Sequence, residues 1–318
     1  MRAVEDRRIL VTGASGFVGR ALVARLRQAY PEAALLGAAA SGQVDGVDMV
    51  RLDLASTDSI VAVTRAFRPT DVIHLAAQSS VQGAFGLPRS VWETNVVGVL
   101  RLIDALRDDA PDASLVFASS GEAYGRSFLA GQALDEDAPL QPENPYARSK
   151  AAAEMALRDL WGDRGRLVIL RMFNHLGPGQ DERFVAASFA AQVARAERGL
   201  GPPVIKVGDL SAERDFGDIR DLVEAYVSVL DNIDSFEARS VFNVCSGTTR
   251  PVRDIADLLM EFARIPISFE IDPARVRPQA VQRAAGSHAA LTAATGWRPA
   301  KSFRETILSV LEGWRNRA

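Results

Sequence analysis

Apolar residues fall along this chain in two alternating rhythms. Short runs at residues 9–12, 34–36, 49–52, 71–75, 114–118 and 167–170 predict buried strands. Longer stretches between them have a helical period. Val18, Leu22 and Leu26 share one face, and so do Val96, Val99, Leu102, Ile103 and Leu106. Strands alternating with helices predict an α/β fold with a doubly wound parallel sheet. After Arg171 the rhythm changes, with Gly/Pro interruptions at 177–179 and 199–203 around a helical stretch at 184–197. Amphipathic helices are expected near 219–230, 255–262 and 303–314, and residues 241–244 predict a strand returning to the large sheet. The expected organisation is a sheet domain over 1–171, with 217–246 packing back onto it. A smaller C-terminal α/β lobe is expected from 172–216 and 247–318. The longest strand-free loop, 121–137, is placed to border a site.

Composition narrows the function classes. The chain has 318 residues, 37 basic and 40 acidic, and a formal net charge of −3, so no basic surplus points to nucleic acid. A single cysteine, Cys245, excludes an internal disulfide. The first eight residues are charged rather than apolar, and no run approaches the ~20 apolar residues a membrane helix requires. A cytoplasmic protein with no membrane partner is expected.

Two motifs carry the chemistry. Gly13, Gly16 and Gly19 follow the first predicted strand and open a helix whose N-terminal amides suit a pyrophosphate. In that context the triplet predicts a dinucleotide on a Rossmann-type sheet. The second strand then ends in Leu-Gly-Ala-Ala-Ala, offering neither the acid that selects NAD nor an arginine that selects NADP. NADPH and NADH both remain open. Asp53 either reaches the adenine or caps the next element. Ala76 and Ala77 leave room for a cofactor, and His74 reads as a packed histidine.

The second motif is Tyr146-Ala-Arg-Ser-Lys150, behind the cap Asn144 and Pro145. Residues four apart share a helix face, so phenol and ammonium can enter one site. A nearby ammonium is expected to lower a phenol from its usual value of about 10 towards acid–base use. Ser120 stands at the C-terminal end of its strand, where open α/β sheets bind ligands. Glu122 is ambiguous: it can abstract a proton beside a ketone, bind a sugar hydroxyl or cap a turn. Tyr124 is either substrate-facing or structural.

Together the glycine spacing, Asp53-Leu54, Ala76-Ala77, Asn95, Ser120 and Tyr146-x-x-x-Lys150 resemble the extended short-chain dehydrogenase/reductase superfamily over almost the whole chain. Residues 171–180, 204–210, 214–221, 272–278 and 295–299 are similar to GDP-4-keto-6-deoxy-D-mannose reductases. Phe216 and Ser120 depart from the dehydratases of the same group, which carry Trp and Thr there.

The resemblance implies that Ser120, Tyr146 and Lys150 are catalytic, with no metal. It implies cofactor contacts from Gly13, Ser15, Gly16, Phe17, Val18, Gly19, Asp53, Leu54, Ala76, Ala77, Asn95, Tyr146, Lys150 and Phe173, with Asn95 supporting Lys150 through water. Gln78, Glu122, Asn174, Lys206, Arg214 and Arg277 are implied on the substrate side. The implied partner is a GDP-linked 4-keto-6-deoxyhexose, reduced at C4 to GDP-D-rhamnose by NADPH or NADH. A homodimer is also implied, with the helices at 96–106 and 146–161 as candidates for its contact; burial of those helices in the monomer core is the alternative. The rival readings are an epimerase or dehydratase that recycles its hydride, and a non-catalytic dinucleotide sensor on the same fold.

Overall fold

The computed structural model describes residues 4–79, 81–162, 165–276 and 281–317. The apolar runs form strands β1 (Arg8–Thr12), β2 (Ala34–Ala39), β3 (Asp48–Arg51), β4 (Asp71–His74), β5 (Ser114–Ser120) and β6 (Leu167–Met172). Three short strands follow: β7 (Asn174–Leu176), β8 (Val204–Val207) and β9 (Glu213–Asp218). The remaining four are β10 (Arg239–Val244), β11 (Thr249–Pro251), β12 (Ser268–Ile271) and β13 (Arg283–Ala284).

The large sheet has seven parallel strands in the order β10-β6-β5-β4-β1-β2-β3. β1 lies between β2 and β4, so the chain reverses its direction of travel there. The crevice at the C-terminal ends of those strands is where such sheets bind ligands.

Each face of this sheet buries its own core. Helices Phe17–Ala29 and Ile219–Asp231 cover one, through Leu22, Leu26, Leu222 and Tyr226. Helices Thr57–Phe67, Gly98–Asp109 and Pro145–Leu160 cover the other, through Ile60, Leu102, Leu106 and Leu157. β5 and β6 are apolar along nearly their whole length because both faces are covered. β2 runs three residues beyond the expected strand. Its alanines carry no apolar signal, yet Ala38 and Ala39 pair with β3.

The second half builds smaller sheets. β9 lies between β11 and β13 and also pairs with β7, and β8 pairs with β12. Helices Val185–Glu197, Val252–Phe262 and Phe303–Arg315 pack over them around Phe189, Leu259 and Leu311. β10 pairs with β6, and helix Ile219–Asp231 packs against helix Phe17–Ala29. Within the 121–137 loop the chain takes two 3₁₀ turns, Gly121–Tyr124 and Arg126–Ala130, packed on Phe173.

Candidate active site

A cavity of about 730 Å³ opens at the C-terminal edge of the large sheet and reaches the smaller sheets. Its floor is the loop after β1. Gly13 has φ 73°, and a Cβ there would stand 2.8 Å from the Ala76 amide nitrogen; at Gly19 it would meet the Gly13 carbonyl oxygen at 2.2 Å. Packing alone therefore demands those two glycines. Gly16 is different. It caps helix Phe17–Ala29 without a side-chain acceptor, so the first-turn amides stay open to an anion. Phe17, Val18 and Gly19 line the cavity at that point, so these residues fit a dinucleotide pyrophosphate. Asp53, Leu54, Ala76 and Ala77 line the same end, with Ser15 among the floor residues. One Asp53 oxygen accepts the Ala55 amide at 2.9 Å, a local turn rather than a helix cap, since Ser56 caps the following helix.

The other end holds the reactive groups. Asn144 accepts the Ala147 amide at 2.8 Å, and Pro145 starts helix Pro145–Leu160. Ser120, Glu122, Tyr146, Lys150, Phe173 and Asn174 all line the cavity here. Ser120 Oγ accepts the Glu122 amide at 3.1 Å, and Asn144 donates to Glu122 Oε2 at 3.3 Å.

The ionisation of the pair departs from expectation. Burial pushes the Tyr146 phenol up to about 12, hydrogen bonding with Ser120 draws it back, and the charge of Glu122 raises it further. Lys150 is not among the groups that shift it. The Lys150 ammonium donates to the Ala118 carbonyl at 2.7 Å, 5.0 Å from the Phe117 ring centre, and burial lowers its pKa to about 8 despite the opposing charge of Glu154. The phenol therefore stands above its usual range rather than below it, because desolvation of the phenolate dominates.

Other expected residues fall elsewhere. Asn95 is buried behind the cavity wall, on a π-helical turn (Glu93–Val97), where its amide accepts the Gln78 N–H at 2.8 Å and donates to the Gln78 carbonyl and to Ser149 Oγ. It clamps the backbone of Gln78, a cavity residue, and its amide is committed there rather than to the cofactor or to Lys150. Lys206 is exposed on β8 and is not among the lining residues. Arg214 sits beside the site rather than in its wall, its guanidinium donating to the carbonyls of Glu213, Val281 and Gln282. Arg277 lies outside the described residues.

His74 is a packed histidine: its Nδ1 lies 2.8 Å from Thr12 Oγ1, its ring stacks on Phe117, and burial lowers its pKa to about 3. Tyr124 is structural and fully buried, its hydroxyl accepting from Arg171 at 3.0 Å and lying 2.7 Å from Asn243 Oδ1.

A buried ion pair behind this wall escaped the sequence reading. Arg171 of β6 holds Glu154 at 2.9 Å, with side-chain exposures of 3% and 1%, and Ser119 Oγ donates to the same carboxylate. A charged residue near the end of an otherwise apolar strand was the available signal. His175, stacked on Phe17, and Phe216 also line the cavity.

Comparison with known proteins fits this geometry. The family model of the NAD dependent epimerase/dehydratase family matches residues 9–245. GDP-6-deoxy-D-mannose reductase of Pseudomonas aeruginosa is 38% identical over 98% of both chains. UDP-glucose 4-epimerase of Corynebacterium glutamicum is 28% identical over 95% of this chain and 93% of its own. Among solved structures, RMD from Pseudomonas aeruginosa complexed with NADPH superposes with a TM-score of 0.86, at 37% identity and 98% coverage of both chains. UDP-glucose 4-epimerase of Thermus thermophilus in complex with NAD gives 0.84, at 32% identity, covering 98% of this chain and all of the other. On the family match and the full-length similarity to a reductase, this chain belongs to the NAD dependent epimerase/dehydratase family.

Proposed function

We propose that the protein reduces the C4 ketone of a GDP-linked 4-keto-6-deoxymannose to GDP-D-rhamnose, using NADPH or NADH. The observation that carries this reading is the full-length 38% identity to GDP-6-deoxy-D-mannose reductase, in a chain whose Ser120, Tyr146 and Lys150 line one cavity.

Gly13, Gly16, Gly19 and Phe173 line the part of the cavity that would hold a reduced nicotinamide dinucleotide, which when bound would supply the hydride. The protein's own groups handle the proton. A reduction needs a phenol that still holds its proton, and burial keeps Tyr146 protonated far above neutral pH. The alkoxide forming at C4 is a stronger base than phenolate, so the proton moves from Tyr146 to that oxygen. Ser120 Oγ accepts the Glu122 amide, so its one proton is donated on the other side, to the Tyr146 oxygen before substrate binds and to the carbonyl oxygen once it is bound. The Lys150 ammonium, one helical turn away, would hold the cofactor ribose, with one of its N–H groups kept on the Ala118 carbonyl. General acid help of this kind contributes roughly 10²–10⁴ in rate.

In this reading residues 1–171 with 217–246 hold the cofactor, and 172–216 with 247–318 hold the sugar nucleotide. Gln78, Asn174 and Glu122 face the sugar from the cavity wall. Arg214 and Arg277 belong to the diphosphate side, where a planar guanidinium suits paired phosphate oxygens. Met155 and Leu160 are exposed apolar residues on helix Pro145–Leu160, and pairing of two copies there would cover them. A cytoplasmic location is proposed with this assignment; no helix among the described residues is long and apolar enough to cross a membrane.

The test is incubation with the 4-keto sugar and each reduced cofactor in turn, following nicotinamide absorbance and identifying the product. One nicotinamide oxidised per GDP-D-rhamnose formed supports the reading. Sugar conversion without net oxidation would move the protein to the hydride-recycling epimerases and dehydratases.

A further inference from the structure

We infer that Arg20 holds the adenosine 2′-phosphate and makes this protein selective for NADPH over NADH. The inference rests on the cofactor reading above and concerns the adenosine end of the same cavity. That end is lined by Ala38, Ala39, Ala40 and Ser41 from the end of β2 and by Asp53 from the loop after β3. A ribose with a free 2′-hydroxyl is ordinarily held by a carboxylate at the end of the second strand, and a 2′-phosphate by an arginine nearby. β2 runs out through alanines into Ser41 and Gly42, with no carboxylate at its end. The carboxylate of Asp53 comes from the loop after β3 and is engaged with the Ala55 amide.

The cation arrives from a different element. Arg20 lies in the first turn of helix Phe17–Ala29, at the rim of the cavity rather than among its lining residues, next to the lining residue Gly19. Its Nε donates to the Ser15 carbonyl at 2.8 Å, which aims the guanidinium back along the loop. Its terminal nitrogen comes within 3.8 Å of where a Cβ would stand on Gly42. Ser15 Oγ donates to the Ser41 carbonyl at 2.8 Å and ties the two loops together beneath it. Arg20 is exposed and has no ion-pair partner among the described residues, so its remaining N–H groups are open to two phosphate oxygens. A second exposed arginine, Arg51, ends β3 opposite Ala39 and adds positive potential at the same rim. The sequence hid this arrangement because the selecting residue sits in the first helix, about 20 positions before the usual place.

The test uses the full chain and reads binding by fluorescence titration with NADPH and NADH. Adenosine 2′,5′-bisphosphate and 5′-AMP serve as probes of the phosphate alone. A charge-assisted pair of this type corresponds to about 10-fold or more in affinity. The wild type should bind NADPH at least about 10-fold more tightly than NADH, and the bisphosphate more tightly than 5′-AMP. Arg20→Ala should abolish both preferences with NADH affinity unchanged, and Arg20→Lys should restore part of them. A preference that survives Arg20→Ala overturns the inference. So does an equal loss of both cofactors, which would make Arg20 a brace for the Ser15 loop only. A wild type that binds neither cofactor would sink the underlying cofactor reading instead.

Discussion

The large sheet and the C-terminal sheets solve different problems. Strands β4, β5 and β6 are buried on both faces, and the polar groups at their ends are tied to neighbours: Ser119 to Glu154, Arg171 to Glu154 and Tyr124, Lys150 to the Ala118 carbonyl. Strands β8, β11 and β12 are short and partly exposed, and most ion pairs around them lie at the surface. The first region holds the candidate reacting groups in fixed positions at low dielectric; in the proposed reading the second offers adaptable surface to a large, charged substrate. The difference teaches where precision is needed. Chemistry at one carbonyl tolerates little displacement, whereas recognition of a sugar nucleotide spreads over many contacts.

That contrast can be broken at graded strength. The largest effect is expected from Tyr146→Phe, which should lower kcat by roughly 10²–10⁴ while leaving cofactor affinity within experimental scatter. Turnover of the variant near the wild-type rate would remove the phenol from the mechanism. Next, Arg171→Leu leaves the Glu154 carboxylate buried without its partner. A loss of about 3–5 kcal/mol in unfolding free energy is expected by urea titration. Breaking the exposed Arg304–Glu261 pair of the lobe by Arg304→Leu should barely move the midpoint. Equal effects at the two sites would erase the distinction between the regions.

A third, smaller effect is in pH. The Lys150 amine is lowered to about 8 by burial, so its charge is full below that pH and lost as pH rises through it. Tyr146, raised to about 12, keeps its proton throughout this range. The profile of kcat/KM should therefore fall on the alkaline side with an apparent pKa near 8, and Lys150→Met should lower the rate and flatten that limb. An alkaline limb retained in Lys150→Met would assign it to another group. The smallest effects belong to the lobe. Asn174→Ala is expected to raise substrate KM by about 5- to 10-fold with kcat nearly kept, as one hydrogen bond is lost. Lys206→Ala should change KM by less than about 2-fold, because this exposed lysine is not among the cavity residues.

The two regions also differed in how far the sequence disclosed them. β1, β5 and β6 announced themselves because burial on both faces leaves unbroken apolar runs. Strands such as β7 and β13, two or three residues long, leave no periodicity to read. Gly13, Gly16, Gly19, Tyr146 and Lys150 were legible because their roles depend on local spacing within one turn or helix. Asn95 was placed at the site by resemblance, but its partner is set by where the Gln78 backbone runs, which no local pattern encodes. The raised pKa of Tyr146 was missed for the same reason. The four-residue spacing to Lys150 is local, whereas the desolvation that dominates comes from the whole wall around the phenol. Arg171 and Glu154 are 17 positions apart and meet only after β6 enters the sheet.

The central claim is that Tyr146 acts as a proton donor held protonated by burial. Its most direct test is a pH titration of the cofactor-free protein labelled with ¹³C at the tyrosine ring carbon bearing oxygen. The chain has four tyrosines, and Tyr30, Tyr124, Tyr146 and Tyr226 are all raised above the usual value. The account predicts that no tyrosine signal of the folded protein ionises below about pH 10. A resonance that ionises between about pH 6 and 8 and vanishes in Tyr146→Phe would contradict it.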